Sequence, residues 1–297
     1  MRSLLSVPGS NLGMVGKALA SEADGVMPDL EDAVAPDEKA GARGSVVEAL
    51  RGMDWGGRLR ICRINALDTP YFYRDVIEVV EGAGESVDAL LVPKVRRAGD
   101  LYALDVMLSA VEKSIGVEVG GTKLEAQIES AEGLVNVDEI AGATGRLTTL
   151  HFGPGDYAAS VGMPQTSIGT MDEWDEDYPG HRFQYAMHRV VVAARAAGLK
   201  VLDGPVADYR DEEGLRRSCR ISRSLGFDGK WCIHPAQIEV VNEVFSPTEK
   251  EIEWAKKVVA AYEEANRSGS GAISIDGRMV DAASIRMARD TLDRARL

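Results

Sequence analysis

Residues 125–134 read EAQIESAEGL and residues 146–162 read RLTTLHFGPGDYAASVG. Each opens as a short apolar run of strand character and ends near a carboxylate. Glu129 closes the first run, and Asp156 sits in a Gly-Pro-Gly-Asp turn after the second. A carboxylate at a strand end, with glycines beside it, is well placed to hold a hard cation. Mg2+ takes one or two carboxylates, with waters and substrate oxygens completing its shell. Local roles are open to the same residues: Glu129 as a cap of the following helix, Asp156 as a turn stabiliser.

Working outward, the same alternation of β-type runs and amphipathic helical runs fills most of the chain. The pattern predicts strands at 3–7, 25–29, 59–64, 89–92, 123–128, 147–152, 200–202 and 230–233. It predicts helices at 12–20, 38–50, 72–83, 101–113, 134–141, 185–197 and 212–224. Strands alternating with helices imply a parallel sheet, and eight strands close a (β/α)8 TIM barrel. An open doubly wound sheet is the rival, but no Gly-x-Gly-x-x-Gly turn follows the first strand. A barrel places function past the C-terminal ends of its strands. The unusual residues fall there: Pro8-Gly9, Asp29 to Asp32, Arg63 and Asn65, Lys94, Glu129, Gly153 to Asp156, Asp203 to Pro205, and His234.

Several of these invite chemistry. Arg63 ends an apolar strand, where an unpaired guanidinium is costly. It suits a bidentate grip on a substrate carboxylate, or an ion pair with a mouth acid such as Glu31. Lys94 is open to the same two readings. Glu31 and Asp32 suit metal-bound waters or helix caps. The backbone of the Gly-Pro-Gly-Asp turn forms an anion nest. Metal, nest and arginine together describe a site for a small 2-oxo or 2-hydroxy acid, and carbon–carbon bond chemistry beside a carbonyl with Mg2+ as Lewis acid.

The acidic segment 162–180, with Asp172, Glu173, Asp175, Glu176 and Asp177, is expected to be a solvated surface loop. Beyond strand eight, Ser246-Pro247-Thr248-Glu249 opens a helix to about residue 266. A Ser/Gly-rich hinge follows at 267–271, then a short strand at 272–275, an Asp276-Gly277 turn and a last helix at 282–296. The expected division is a barrel domain at 1–245 and a lid or oligomerisation extension at 246–297. Net charge is −13 with pI near 4.9, which argues against nucleic acid or an anionic membrane as partner. Three cysteines, Cys62, Cys219 and Cys232, are expected as reduced thiols in a cytoplasmic protein. The N-terminal stretch, broken early by Pro8 and Gly9, does not read as a signal peptide. No apolar run approaches the ~20 residues of a membrane span.

The stretches LLSVPGSN, VMPDLEDAVAPDEK, ICRINALDT, LLVPKV, QIESAEGL, LHFGPGDYAASVG, DGPVADYRDEEG, GFDGKWCIHPAQI and AISIDGRMVDAAS together resemble the citrate lyase β-subunit-like (HpcH/HpaI aldolase/citrate lyase) family, its malyl-CoA and β-methylmalyl-CoA lyase branch in particular. The resemblance implies a barrel with a C-terminal lid, Mg2+ (Mn2+ as a substitute), a CoA thioester substrate and a homotrimer or homohexamer. It implies Glu129 and Asp156 as metal ligands, with Glu31 and Asp32 on metal-bound water. Arg63 would contact the oxo acid and the thioester enolate, and the Gly155 and Asp156 backbone the substrate carboxylate. Ile233 and His234 would line the acyl pocket, and Lys17 would reach the CoA phosphates. Asp281 would be the base, delivered by a neighbouring subunit's lid; by sequence alone it is the N-cap of the last helix. Pro28 stands where the family more often has a leucine-like residue. The implied reaction is cleavage of L-malyl-CoA or β-methylmalyl-CoA to glyoxylate and acetyl-CoA or propionyl-CoA. Citramalyl-CoA cleavage to pyruvate, malyl-CoA hydrolysis, and a non-catalytic thioester-holding subunit of a larger complex are the alternatives.

Overall fold

Eight parallel strands pair in sequence order, and the last returns to the first. They are β1 (Ser3–Pro8), β2 (Gly25–Asp29), β3 (Leu59–Arg63), β4 (Ala89–Val92), β5 (Lys123–Ile128), β6 (Leu147–Phe152), β7 (Lys200–Asp203) and β8 (Gly229–Cys232). Closure comes from β1 pairing with both β2 and β8, with Leu4 opposite Gly25 on one side and Trp231 on the other. The computed structural model describes residues 1–177, 181–267 and 273–295.

Helices α1 (Leu12–Leu19), α2 (Lys39–Gly52), α3 (Phe72–Ala83) and α4 (Ala98–Ile115) follow the first four strands. Two short helices, α5 (Ala131–Val135) and α6 (Val137–Ala141), follow β5 where one continuous helix was expected; Asn136 ends the first and starts the second. After β6 come α7 (Pro154–Val161), α8 (Glu173–Asp177) and α9 (Gln184–Ala196); α10 (Glu212–Leu225) and α11 (Ile238–Phe245) complete the ring.

Side chains alternate along each strand. Leu4, Met27, Ile61, Ala89, Leu91, Leu202 and Trp231 pack as one buried cluster inside the barrel. Two residues further on, the same inward phase carries Ser6, Asp29 and Arg63 to the C-terminal end. The strands thus place a polar layer directly above an apolar one. Pro28 lacks an N–H, and the recorded β2–β3 pairing skips from Val26–Arg60 to Asp29–Arg63.

The acidic segment after α7 departs from the expected solvated loop. Asp172 and Asp175 carry largely buried carboxylates held by Arg182, at 2.9 and 3.0 Å. Residues 178–180 at its end lie outside the described residues.

The chain divides into two compact units, Met1–Asn242 and Glu243–Leu297. Within the second, α12 (Glu249–Arg267), the hairpin of β9 (Ile273–Ile275) and β10 (Arg278–Val280), and α13 (Ala282–Arg294) share a small core of Ala255, Val258, Ile275, Val280, Ile285 and Ala288. Of the expected hinge at 267–271, residues 268–271 lie outside the described residues, as does residue 272 at the start of the expected strand. Among the described residues no helix is long and apolar enough to cross a membrane. All three cysteines are buried free thiols.

Candidate active site

A cavity of about 290 Å³ opens at the C-terminal ends of the barrel strands. Arg63, Gln127, Glu129, Gly155, Asp156 and Trp231 are among its lining residues. Glu129 follows β5 and is 2 % exposed. It is not the cap of α5: that position belongs to Ser130, whose hydroxyl accepts from the Gly133 N–H at 3.0 Å. Its oxygens accept instead from the backbone N–H of Lys94 at 2.8 Å and the Gln127 amide at 2.5 Å. Lys94 adopts φ 52°, a left-handed conformation unusual for a side-chain-bearing residue, and this backbone turn supplies the N–H that reaches Glu129.

Burial, the neighbouring Asp156 and Glu31 push the Glu129 carboxyl well above its ordinary range, against the opposing pull of Arg63 and the Lys94 N–H. Asp156 lies in the first turn of α7 and lines the cavity, and its carboxylate forms no hydrogen bond or ion pair with any described residue. A buried carboxylate pushed up by a second carboxylate beside it marks a site short of positive charge. Gln127 adds a buried Oε1 without a hydrogen-bond partner. These donors fit a divalent cation: two carboxylates and an amide oxygen, the rest left to water and substrate. Among the described residues no three His, Cys, Asp or Glu side chains form a complete cage. Gly153 makes the arrangement possible, since a Cβ there would lie 2.5 Å from Glu129 Oε2 and 2.8 Å from Gln127 Nε2.

Arg63 forms the ion pair expected as one of its two roles. Its Nε and Nη2 donate to the two oxygens of Asp29, at 2.7 and 2.6 Å, the two residues being paired in the β2–β3 register. Nη1 lies 2.9 Å from Glu31 and 3.5 Å from Asp32. The guanidinium is 7 % exposed and reaches the cavity wall. Lys94 Nζ also pairs with Glu31. Glu31 is therefore engaged by two cations, while the more exposed Asp32 is the member of the pair that lines the cavity. Burial raises the Glu31 carboxyl above its usual value, although Arg63 and Lys94 pull it down.

The N–H groups of Gly155 and Asp156 precede the first α7 bond, from Tyr157 N–H to Gly153 O at 3.1 Å, so the helix itself leaves them free. Ile233 lines the cavity. His234 does not: its Nδ1 accepts from the Ala236 N–H at 3.2 Å and its ring stacks on Tyr209 at 4.3 Å. Lys17 is exposed in the last turn of α1 and is not among the lining residues. Asp281, in the second unit, caps α13 by accepting from the N–H groups of Ala283 and Ser284 at 3.0 and 2.9 Å. The Ser284 N–H and hydroxyl hold its carboxyl below the usual value.

Sequence reasoning placed Asp29 at the mouth without giving it a role, and passed over Gln127, Gln165, Ile168 and Trp231. Gln127 was findable, being two residues before Glu129 and so on the same strand face. Gln165 and Ile168 come from the segment read as a solvated loop, yet both line the cavity.

The fold and this mouth define a TIM-barrel protein with a dicarboxylate and arginine site. The chain belongs to the HpcH/HpaI aldolase/citrate lyase family, whose profile it matches over residues 2–235. It is 42% identical over 293 residues to the L-malyl-CoA/β-methylmalyl-CoA lyase of Cereibacter sphaeroides, covering 97% of this chain and 92% of that one. It is also 40% identical over 296 residues to a (3S)-malyl-CoA thioesterase of the same species, covering 99% and 94%. Among solved structures, protein CitE from Mycobacterium tuberculosis in complex with magnesium, acetoacetate and coenzyme A superposes with TM-score 0.78 at 29% identity, covering 100% of this chain and 98% of that one.

Proposed function

We propose that this protein is a Mg2+-dependent carbon–carbon lyase that cleaves L-malyl-CoA or β-methylmalyl-CoA to glyoxylate and acetyl-CoA or propionyl-CoA. The observation that carries the reading is the meeting of buried Glu129, partnerless Asp156 and Asp29-anchored Arg63 on one cavity wall. Glu129 and Asp156 would hold the metal. When bound, Mg2+ supplies Lewis-acid polarisation beside the substrate carboxylate and eases ionisation of the adjoining hydroxyl.

The chain's own groups then account for the rest. The free N–H groups of Gly155 and Asp156 receive the substrate carboxylate. As the hydroxyl becomes a carbonyl, the carbon–carbon pair passes to the thioester as an enolate. Arg63 stabilises the developing enolate oxygen, a role for which one strong donor contributes about 3–4 kcal/mol. The net change moves the hydroxyl proton to the former enolate carbon, and Asp281 is the residue proposed to deliver it. We assign Asp32 and Glu31 to ordering water beside the metal, Ile233 to the acyl pocket, and Lys17 to the CoA phosphates; His234, stacked on Tyr209 outside the cavity, is left without a role in that pocket. The proposed assembly is a homotrimer or homohexamer. Three buried free thiols support a reducing, cytoplasmic setting.

The thioesterase relative favours a second reading, hydrolysis to malate and CoA, in which water attacks the thioester carbonyl. Product analysis with L-malyl-CoA, β-methylmalyl-CoA and citramalyl-CoA, with and without Mg2+, separates the cases. Glyoxylate release that stops in EDTA is expected. Pyruvate from citramalyl-CoA as the preferred product, or free malate without glyoxylate, would overturn the assignment. Asp156→Ala should abolish turnover with an unchanged melting temperature, since its carboxylate holds nothing in the fold.

A further inference from the structure

Barrel interiors are filled mainly by branched aliphatic side chains. Here a hydrogen-bonded polar chain crosses from β8 to β5. The Trp231 indole Nε1–H donates to His151 Nδ1 at 2.7 Å, and His151 Nε2 meets Glu125 Oε2 at 2.8 Å. Thr149 donates to the other Glu125 oxygen at 3.1 Å. An indole nitrogen only donates, so Nδ1 carries the lone pair and Nε2 carries the proton given to Glu125. Trp231, His151, Glu125 and Thr149 are all buried, the histidine completely. At the upper end of this chain the Arg63 guanidinium lies over the Trp231 ring, 5.5 Å from its centroid, within cation–π range.

The Asp29 pair cannot position Arg63 alone. Two parallel hydrogen bonds to Asp29 fix one edge of the guanidinium, and Nη1, 2.9 Å from Glu31, restrains the opposite corner, but all of these contacts are made through its N–H groups and none through its face. The Trp231 ring, with the guanidinium carbon over it 5.5 Å from the centroid, opposes tilting of that face, provided the ring cannot turn. The bond to His151, itself anchored on Glu125, is what stops the ring from turning. We infer that Trp231 is a positioning residue for Arg63: the indole, pinned from below by His151 and Glu125, sets the plane in which Arg63 presents its N–H groups to the cavity. The inference rests on the Arg63 role proposed above for its kinetic consequence, but not for its geometry.

The test uses the whole chain and four variants: Trp231→Phe, which keeps a ring and removes the N–H; Trp231→Leu, which removes both; Arg63→Lys; and Arg63→Lys combined with Trp231→Phe. Crystal structures of the Trp231 variants should show the guanidinium displaced from its Asp29 pairing or split over two positions in the leucine variant, and less so in the phenylalanine variant. A guanidinium superposing on the wild type in both would overturn the inference, whatever the reaction. With L-malyl-CoA, Trp231→Leu should lower kcat by about 10²-fold, the scale of a small misplacement of a reacting group, with KM changed less than about threefold. Trp231→Phe, which keeps a ring but loses the bond that stops it turning, should lose about tenfold or more in kcat; a phenylalanine variant with wild-type kcat would show that the His151 bond does not act on Arg63. In the Arg63→Lys background the Trp231→Phe change should cost little more; equal losses in both backgrounds would show that Trp231 acts independently of Arg63 and sink the idea. Should the leucine variant not fold, the phenylalanine cycle and structure decide alone. Absence of malyl-CoA cleavage by the wild type would strike the proposed reaction, while the crystallographic comparison would still judge the positioning role.

Discussion

Asp29 is completely buried and carries more than the arginine. Besides Arg63, its oxygens accept from the N–H groups of Glu31 and Ala33 at 2.8 and 3.0 Å. Asp29→Ala therefore strands a buried guanidinium and frees two backbone donors. Breaking such a pair from one side costs about 3–5 kcal/mol, which urea denaturation should record. A loss under ~1 kcal/mol would mean that Glu31 replaces it. Gly153 is the second sensitive point. In Gly153→Ala the new methyl must displace Glu129 or Gln127, an overpacking cost of about 1–3 kcal/mol. The Mg2+ concentration for half-maximal turnover should rise at least tenfold; an unchanged Mg2+ dependence would show that Glu129 is not a ligand. At this scale Arg63 and Glu129 were readable because a charged residue ending an apolar strand has few bland explanations. Asp29 was not, because its pairing with Arg63 depends on strand register, which composition does not carry.

Among the elements, the eight strands were legible from alternation, and the helices from their spacing. The break at Asn136 was not, because the flanking residues keep a helical pattern through it. The acidic loop was misread for a related reason: charge runs say nothing of a distant counter-ion, and Arg182 turns two of those acids inward. A comparable knot ties α4 to β5 and β6. Glu112 accepts from the N–H groups of Gly120 and Thr122 at 2.8 and 3.0 Å and from Arg146 at 2.9 and 2.6 Å. Burial pushes its carboxyl up, but Arg146 and the two N–H groups prevail and hold it below the ordinary 4.5. A lowered folded value means that the unfolded chain binds the proton first. The stabilisation is then complete above pH 4.5 and lost as pH falls through the folded value. Wild-type stability should decline below pH 4.5, and Glu112→Gln should be less stable at pH 7 with a shallower acid decline. Parallel acid profiles for the two proteins would remove Glu112 from that slope.

For the whole molecule, Asp281 belongs to the second unit while the chemistry proposed for it belongs to the barrel. Asp281 was legible as a cap, and its cap geometry makes the catalytic proposal separable from the structural one. All of its cap bonds, including the Ser284 hydroxyl at 3.0 Å, go to Oδ1. Among the described residues Oδ2 is left outside the cap. Asparagine caps a helix about as well as aspartate, whereas alanine costs about 0.5–2 kcal/mol. Asp281→Asn should thus keep the wild-type melting temperature and CoA-ester binding yet stop turnover. Asp281→Ala should lose turnover and some stability together. Unchanged turnover in the asparagine variant would leave Asp281 with the cap alone. If the base comes from a neighbouring subunit, co-assembly of Asp156→Ala with Asp281→Asn chains should restore part of the activity that neither has alone, because some sites then receive an intact mouth and an intact base from different chains. Mixed assemblies that stay inactive, while each variant assembles normally, would confine the base to its own chain's barrel or exclude it.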